Sequence, residues 1–426
     1  MASFFIPLTG LESDSTALNT IANDLANMNT TGFKAQTTNF ADLFYQQIGQ
    51  QGSGDEIQVG AGVQVASNET NFGQGSFETT GVSTDVALNG NGFFVVNNGN
   101  ATTNEYTRDG NFTLDNNNNL ITSSGQQVMG YPAVNGVVNT NSPIAAINIP
   151  TTEAPSATST LNMTANLNST TAAGGAFPAQ ITVYDSLGEP HVATVTYTQT
   201  AVNTWSYSVA LPAADFNPAV SVPVTGTMTF DANGNLSTVA QGAGPAVPVG
   251  TAAGDVSSIP LGFTNLADGA ANLNIGWNLM GPNGQNPSIT QTDAASAVAA
   301  SSQNGYQTGQ EQGISITDNG TVNVQFSNGQ TVAVGQLALA NVPNQQGLTM
   351  LGDGNYATTL ASGSAAIAAS GTAGLGSVQG GTLEGSNVNI AAEFSDLIIA
   401  QRAFEANSKS VTTFDTITQE TINMVH

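Results

Sequence analysis

Residues 8–36 read LTGLESDSTALNTIANDLANMNTTGFKAQ, and the spacing of their apolar side chains decides how the rest of the chain is organised. Leu11, Leu18 and Leu25 fall at a seven-residue step with Ile21 and Met28 between and beyond them. That spacing predicts a helix with one apolar stripe, broken once by Asp14. The other end repeats the pattern. Ile390, Leu397, Phe404, Val411 and Val425 keep the seven-residue step, Thr418 is its polar member, and Phe394, Ile398, Phe414, Ile417 and Ile422 widen the face. Neither stripe has a partner nearby in sequence. The two ends are therefore expected to pair with each other, and with copies of themselves, as a coiled-coil-like stalk that displays everything between them as an insertion.

Asn389 stands where an N-cap is needed, and from there to Val425 the pattern runs for about 36 residues, roughly 54 Å of helix. The first helical pattern stops where Asn27, Asn29, Thr30, Thr31 and Gly32 accumulate, residues that favour caps and turns. Residues 33–50 form a second, weaker amphipathic segment with Phe40, Leu43, Phe44 and Ile48 on one side. QQGSGDE, 50–56, is a flexible connection. From Ile57 the period changes to two: VGAGVQVAS (59–67), DVALNGNGFFVVNN (85–98) and EYTRDGNFTLDNNNNLITSSGQQVMGYP (105–132) read as strands and turns of a compact antiparallel unit.

A Thr/Ser/Pro/Ala-rich passage, 140–175, marks a boundary, after which 180–211 alternates over two long runs and 226–239 is a hairpin turning at Asn233-Gly234. Residues 281–309 are polar and irregular, 313–342 return to strands, and 362–381 is a small-residue linker. The expected class is mainly β with terminal α-helices, the helices carrying two antiparallel β-domains nested as insertions. The expected domains are a helical inner core (1–56 with 382–426), a first β-domain (57–147 with 281–381) and an inserted outer β-domain (148–280).

Composition narrows the function. At 426 residues the chain exceeds one comfortable core. Charged residues make up 8%, against about 25% in ordinary domains, yet hydrophobic content is 40%, which argues against simple disorder because disordered chains usually combine low hydrophobicity with high charge. Lys34, Arg108, Arg402 and Lys409 are the only Lys and Arg, against 29 carboxylates, for a net charge of −25. Residues 109–401 hold no Lys or Arg and 16 Asp and Glu. Such a surface repels phosphate and anionic lipid, so neither nucleic-acid binding nor polybasic membrane attachment is expected. No apolar run approaches the roughly 20 residues of a membrane span, so no membrane insertion is expected. Cysteine is absent, which excludes disulfides and thiolate metal sites. The opening MASFFIPLTG lacks the basic n-region of a cleaved signal peptide.

Chemistry-bearing motifs are sparse. His191 follows Pro190 at a strand start and His426 is the last residue of the sequence, so neither invites a triad or a zinc site. Gly90-Asn91-Gly92 lacks the rest of a dinucleotide fingerprint and reads as a turn. DANGNL (231–236) and DNNNNL (115–120) place oxygens at alternate positions without the distal Glu of a calcium loop. They read as hairpin turns, as do the nine Asn-Gly pairs generally. No catalytic residue, metal ligand or cofactor is expected. Polar Asn19, Asn23, Asn27, Asn407 and Ser408 flank the stripes, so a two-helix stalk is marginal alone and is expected to order on assembly.

These stretches carry a specific likeness. ANDLANMNTTGFKAQ (22–36) resembles the N-terminal signature of the bacterial flagellar basal-body rod and hook axial family, and LEGSNVNIAAEFSDLIIAQRAFEANSKSVTTFD (383–415) resembles its C-terminal signature. DVALNGNGFFVV and YTRDGNFTLDNNNNLITSSGQQVMGYP are similar to the β-unit that rod and hook members share. VYDSLGEPHVATVTY with Trp205, TMTFDANGNL, and FSNGQTVAVGQLALANVPNQQGL (326–348) resemble the insertion and return path of hook members. Residues 151–175 and 239–261 match none of these motifs, and Asp24 stands where the family more often has Asn.

The resemblance implies a structural, non-enzymatic hook subunit: a homopolymer forming a flexible helical tube, a universal joint between rod and filament in motility. Its implied partners are further copies of itself, distal rod, hook cap and hook–filament junction proteins, and the flagellar type III export apparatus. Its implied place is the extracellular hook, reached without a cleaved signal peptide. Leu11, Leu18, Ile21, Leu25, Met28, Ile390, Phe394, Leu397, Phe404, Val411, Phe414 and Ile422 are then the expected assembly residues, and Asn29, Thr30, Gly32, Phe33 and Lys34 the family's signature turn. Two other readings compete. A distal rod protein shares both ends but would lack most of 148–280, and a secreted β-rich adhesin would explain the Gly, Asn and Thr content without the paired helical ends.

Overall fold

The computed structural model describes residues 5–50, 56–99, 103–281, 284 and 286–424; Val425, His426 and the middle of the 50–56 connection lie outside them. The chain divides into two compact units: unit 1 comprises 1–150, 312–325 and 331–426, and unit 2 comprises 151–311 and 326–330. The helices and the first β-domain thus fall in one unit, and the return boundary expected at 280 lies at 311. No described helix is long and apolar enough to cross a membrane.

Unit 1 begins with α1 (Phe5–Ala26) and ends with α2 (Ile390–Met424). α1 stops at the Asn-Thr-Thr-Gly turn, where Gly32 adopts φ +68° and a Cβ would sit 2.6 Å from the Arg108 carbonyl carbon. Only glycine fits there. Asn389 caps α2, its Oδ1 accepting the N–H groups of Ala391 and Ala392. α2 has 35 residues, about 52 Å. Between the helices lies antiparallel sheet. Its central strand Phe93–Asn97 pairs with Asn104–Thr107, Gln127–Val134 and Thr331–Asn341. Phe93, Val95, Tyr106, Tyr131, Ala338 and Tyr356 close a core over which Phe72 packs edge-on to Phe93.

The second amphipathic segment expected at 33–50 is instead two strands, Gln36–Asp42 paired with Val63–Thr70 and Tyr45–Gln50 paired with Glu56–Gly60. Thr37, Thr38 and Asn39 resist helix and favour extended backbone. Phe40 and Phe44 are left exposed.

Unit 2 is built from two sheets. A six-stranded antiparallel meander runs Ala176–Tyr184, Pro190–Ala201, Thr204–Ala210, Val224–Phe230, Leu236–Gln241 and Val247–Pro248. Strict alternation buries His191, Ala193, Val195, Tyr197 and Gln199 along one strand. The second sheet centres on Thr160–Asn168, flanked in parallel by Leu273–Asn278 and Ile289–Thr292 and antiparallel by Ala297–Gln303. One core joins both sheets, with the rings of Tyr197 and Tyr207 edge-on to Trp277. Burying each such aromatic contributes about 1.5–3 kcal/mol. Two stretches read as boundary and irregular loop, 140–175 and 281–309, therefore supply strands of this second sheet. Leu161, Met163, Ala165 and Leu167 carry its inward face.

Candidate assembly site

Two of the four Lys and Arg residues are buried in unit 1, and burying a cation without a partner is prohibitively costly. Both converge on Glu384, itself completely buried. Lys34 Nζ donates to Glu384 Oε1 at 2.6 Å and to the Gly73 carbonyl at 2.9 Å. Arg108 donates through Nη1 to Glu384 Oε2 at 3.3 Å and through Nη2 to the Gly90 carbonyl at 2.8 Å, and its guanidinium stacks 5.5 Å from the Phe93 ring centre. The Gly75 N–H adds a further bond to Oε1. Burial pushes the pKa of Lys34 and of Arg108 down, and the Glu384 carboxylate pushes back.

Around this triad the backbone is stitched directly. The Gly32 N–H donates to the Glu384 carbonyl at 2.7 Å, the Ala35 N–H to Asn387 Oδ1 at 2.8 Å, and Asn387 Nδ2 to the carbonyls of Asn71 and Gly73. The segment leaving α1 is thereby locked to the segment entering α2 across 350 residues of sequence.

Above this junction the helices run antiparallel, Gly10 facing Asn407 and Asp24 lying beside Glu393. The buried face of α1 is small and polar: Pro7, Gly10, Ser13, Ala17, Thr20 and Asp24. A Cβ on Gly10 would lie 2.6 Å from Asn407 Nδ2, and that same nitrogen donates to Asp14 Oδ2 at 2.8 Å. In this register Phe5 stands level with Thr412, so Thr413–Met424 has no α1 residue opposite it among the described residues.

Asp24 is fully buried with Oδ2 accepting the Gln36 N–H at 2.8 Å and Oδ1 without a partner. Burial raises its pKa against that one hydrogen bond. Glu393 is raised too, by burial first and then by Asp24 and Asp396. A carboxyl raised in the folded state stabilises fully below its unfolded pKa, and that contribution is lost as pH rises through the folded value. Asp24→Asn keeps the acceptor for Gln36 and removes the buried charge. It is expected to raise stability at pH 7 by about 1 kcal/mol and to flatten the decline between acidic and neutral pH. Thermal melts of both proteins across that range test it, and an unchanged difference at every pH would refute the buried-charge explanation.

Residues 148–306 match the flagellar basal body protein FlaE D2 domain, 87–169 the flagellar hook protein FlgE/F/G D1 domain, 379–424 the flagellar basal body rod FlgEFG protein C-terminal region and 8–34 the flagella basal body rod protein. The chain is 33% identical to the flagellar hook protein FlgE of Salmonella typhimurium over 99% of its own length and 100% of that protein's. It belongs to the flagellar hook protein family. The Treponema pallidum hook protein is 32% identical over 100% of this chain and 99% of its own. The crystal structure of Helicobacter pylori flagellar hook protein FlgE2 shares the fold, with a TM-score of 0.50 at 13% identity, over 71% of this chain and 99% of that one.

In this hook-family chain the expected assembly residues divide by exposure. Leu11, Leu18, Ile21 and Leu25 are half-buried and Met28 is exposed; Leu397, Val411 and Phe414 are half-buried; Ile390, Phe394, Phe404 and Ile422 are exposed. Within one chain the seam between the helices thus runs through small and polar residues, with the apolar stripes set to its sides. Ile21, Phe40, Ile399, Ala400 and Ala403 line a groove of ≈ 300 Å³ beside that seam. In the signature turn, Gly32 and Lys34 are buried, Phe33 is half-buried, and Asn29 and Thr30 are exposed. Arg108, Glu384 and Asn387 were not among the expected residues. The one signal for Arg108 is scarcity: where only four Lys and Arg exist, each is placed for a reason.

Proposed function

We propose that this chain is the structural subunit of a flagellar hook, polymerising into a flexible helical tube that serves as a universal joint between rod and filament. One observation carries the reading. Phe394, Ile398 and Ile399 are 52%, 57% and 65% exposed on α2, and Ile417 and Ile422 continue the apolar surface toward its end. A face of that length on a helix is buried by neighbouring subunits, and a head-to-tail contact that does not close generates a tube. Unit 2 favours a hook subunit over a distal rod protein, which would lack most of it. The partners that follow are the distal rod, the hook cap, the hook–filament junction proteins and the flagellar export apparatus, with delivery outside the cell without signal cleavage and no catalytic step.

Purified chain brought to high salt and imaged by negative stain is expected to give tubes. The same preparation lacking 383–426 should give none. Persistent monomers of the full chain with intact helices would overturn the reading.

A further inference from the structure

We propose that unit 2 holds a divalent transition-metal ion on His191 Nε2, Asp185 and Asp268, with Asp215 orienting the imidazole. The argument begins with a charge imbalance. Unit 2 contains nine Asp and Glu and no Lys or Arg, so His191 is its only side chain able to carry positive charge near neutral pH. Three of those carboxylates surround it.

Local structure brings them together. Asp185 opens the turn between Ala176–Tyr184 and Pro190–Ala201, and its Oδ1 is fixed by the N–H groups of Leu187 at 2.8 Å and Glu189 at 3.0 Å. That leaves Oδ2 3.2 Å from His191 Nε2. Asp215, at the end of the 3₁₀ turn Ala213–Asp215, places Oδ2 2.8 Å from His191 Nδ1. Asp268 is anchored by its own turn, Oδ1 accepting the Ala270 N–H at 3.0 Å, and its carboxyl lies beside that of Asp185. One ligand atom each from Asp185, His191 and Asp268 falls within 4.8 Å of the others.

Hydrogen-bond logic then exposes two missing positive charges. A neutral imidazole that gives its one proton to Asp215 through Nδ1 turns the Nε2 lone pair toward a carboxylate oxygen that can only accept. Asp185 and Asp268 likewise face each other as two acceptors. Protons can fill these positions only if the imidazole is charged and one carboxyl is neutral. A single divalent cation fills both at once. The arrangement behind it, one carboxylate on Nδ1 while Nε2 faces the two others, is the outer shell of a histidine-bound metal.

The 3.2 Å between Nε2 and the Asp185 oxygen is close to the separation of about 3.4 Å that two ligands at about 2.1 Å span on a tetrahedral ion. One imidazole nitrogen and two carboxylates suit Zn²⁺ or Mn²⁺, whereas Mg²⁺ and Ca²⁺ prefer oxygen alone. Asp185 and His191 are buried and Asp268 is exposed, so the ion has an entry side and room for water. Bound there, it would clip the 185–191 turn to the 266–270 turn and stabilise unit 2.

The full-length chain, stripped with chelator and titrated by calorimetry with ZnCl₂, MnCl₂ or CaCl₂, is expected to bind one Zn²⁺ or Mn²⁺ per chain. Affinity for Ca²⁺ should be about tenfold weaker or worse, and the transition-metal ion should raise the melting temperature of unit 2. Asp268→Asn leaves the contacts of His191 with Asp215 and Asp185 in place. It should lower Zn²⁺ affinity by about tenfold or more while melting like wild type in chelator. Co²⁺ added to wild type, but not to Asp268→Asn, should give visible absorption bands. Three results would overturn the proposal: no binding to folded wild type at about 1 mM metal, unchanged Zn²⁺ binding in Asp268→Asn, or a melting temperature that responds to pH around His191 but to no metal.

Discussion

Glu384→Gln is expected to destabilise unit 1 by about 3–5 kcal/mol. Among the described residues the carboxylate is the only anion touching Lys34 and Arg108, and all three side chains are buried. Glutamine keeps the volume and can still accept through its one carbonyl oxygen, but it leaves two cations in a desolvated site with no counter-charge. Replacing Lys34 by Met should cost less, about 1–3 kcal/mol, because Arg108 and the Gly75 N–H still hold Glu384. The asymmetry separates a charge-balanced triad from simple packing, in which the larger lysine deletion would hurt more. Both tryptophans, Trp205 and Trp277, lie in unit 2. Tryptophan fluorescence therefore follows that unit, while hydrogen exchange at residues 32–35 and 384–387 follows the junction. Protection there should collapse in Glu384→Gln while the tryptophan transition stays in place; a loss below about 1 kcal/mol would show that the triad is not what locks the two ends.

The sequence was legible where side-chain period and turn chemistry act locally. Asn389 was expected near the start of the last helix and caps it. The Asn-Gly turn at 233–234 closes the hairpin as read, with Asp231 Oδ1 accepting the N–H groups of Asn233 and Asn235. Reading failed where composition hid the period. Thr160–Asn168 alternates strictly, but its Thr, Asn and Ala content resembles linker, and its partners arrive more than a hundred residues later. Residues 36–42 failed differently: a helical reading of Phe40, Leu43 and Phe44 ignored the β-branched Thr37 and Thr38.

The candidate site was legible only in part, for a related reason. A seven-residue stripe shows which helix faces are apolar, but not which of them meets its own chain and which is left for a neighbour. Gly10, Ala17 and Ala400, too small to register as a stripe, take the intrachain seam because small residues let two backbones approach. The Lys34, Arg108 and Glu384 triad, and the joining of Asp215 and Asp268 to the 185–191 turn, bring together residues that no local pattern connects. Only the scarcity of positive charge hinted that each one would be committed.

Division of labour between seam and stripe leads to the strongest assembly prediction. Phe394→Asp combined with Ile398→Asp changes two side chains that are 52% and 57% exposed in the single chain, so the monomer's melting temperature should move little, within about 0.5 kcal/mol of stability. In the proposed tube the same positions are expected to be buried. Each lost apolar side chain forfeits about 1.5–3 kcal/mol per subunit, and each carboxylate placed in the interface adds desolvation and repulsion in a chain already carrying a net charge of −25. A combined loss of about 4 kcal/mol raises the critical concentration about a thousandfold, which takes polymerisation out of reach of ordinary preparations. High salt screens repulsion but cannot restore the lost burial, so added salt should rescue the double variant only weakly. Val202→Asp, at a position 84% exposed in a hairpin turn of unit 2, removes an equally accessible apolar side chain and should leave assembly in place. Sedimentation across a concentration series reads all three proteins. Tubes forming from the double variant at the wild-type concentration would remove this face of α2 from the assembly interface and leave the groove beside Ile21 and Ile399 as the surface to test instead.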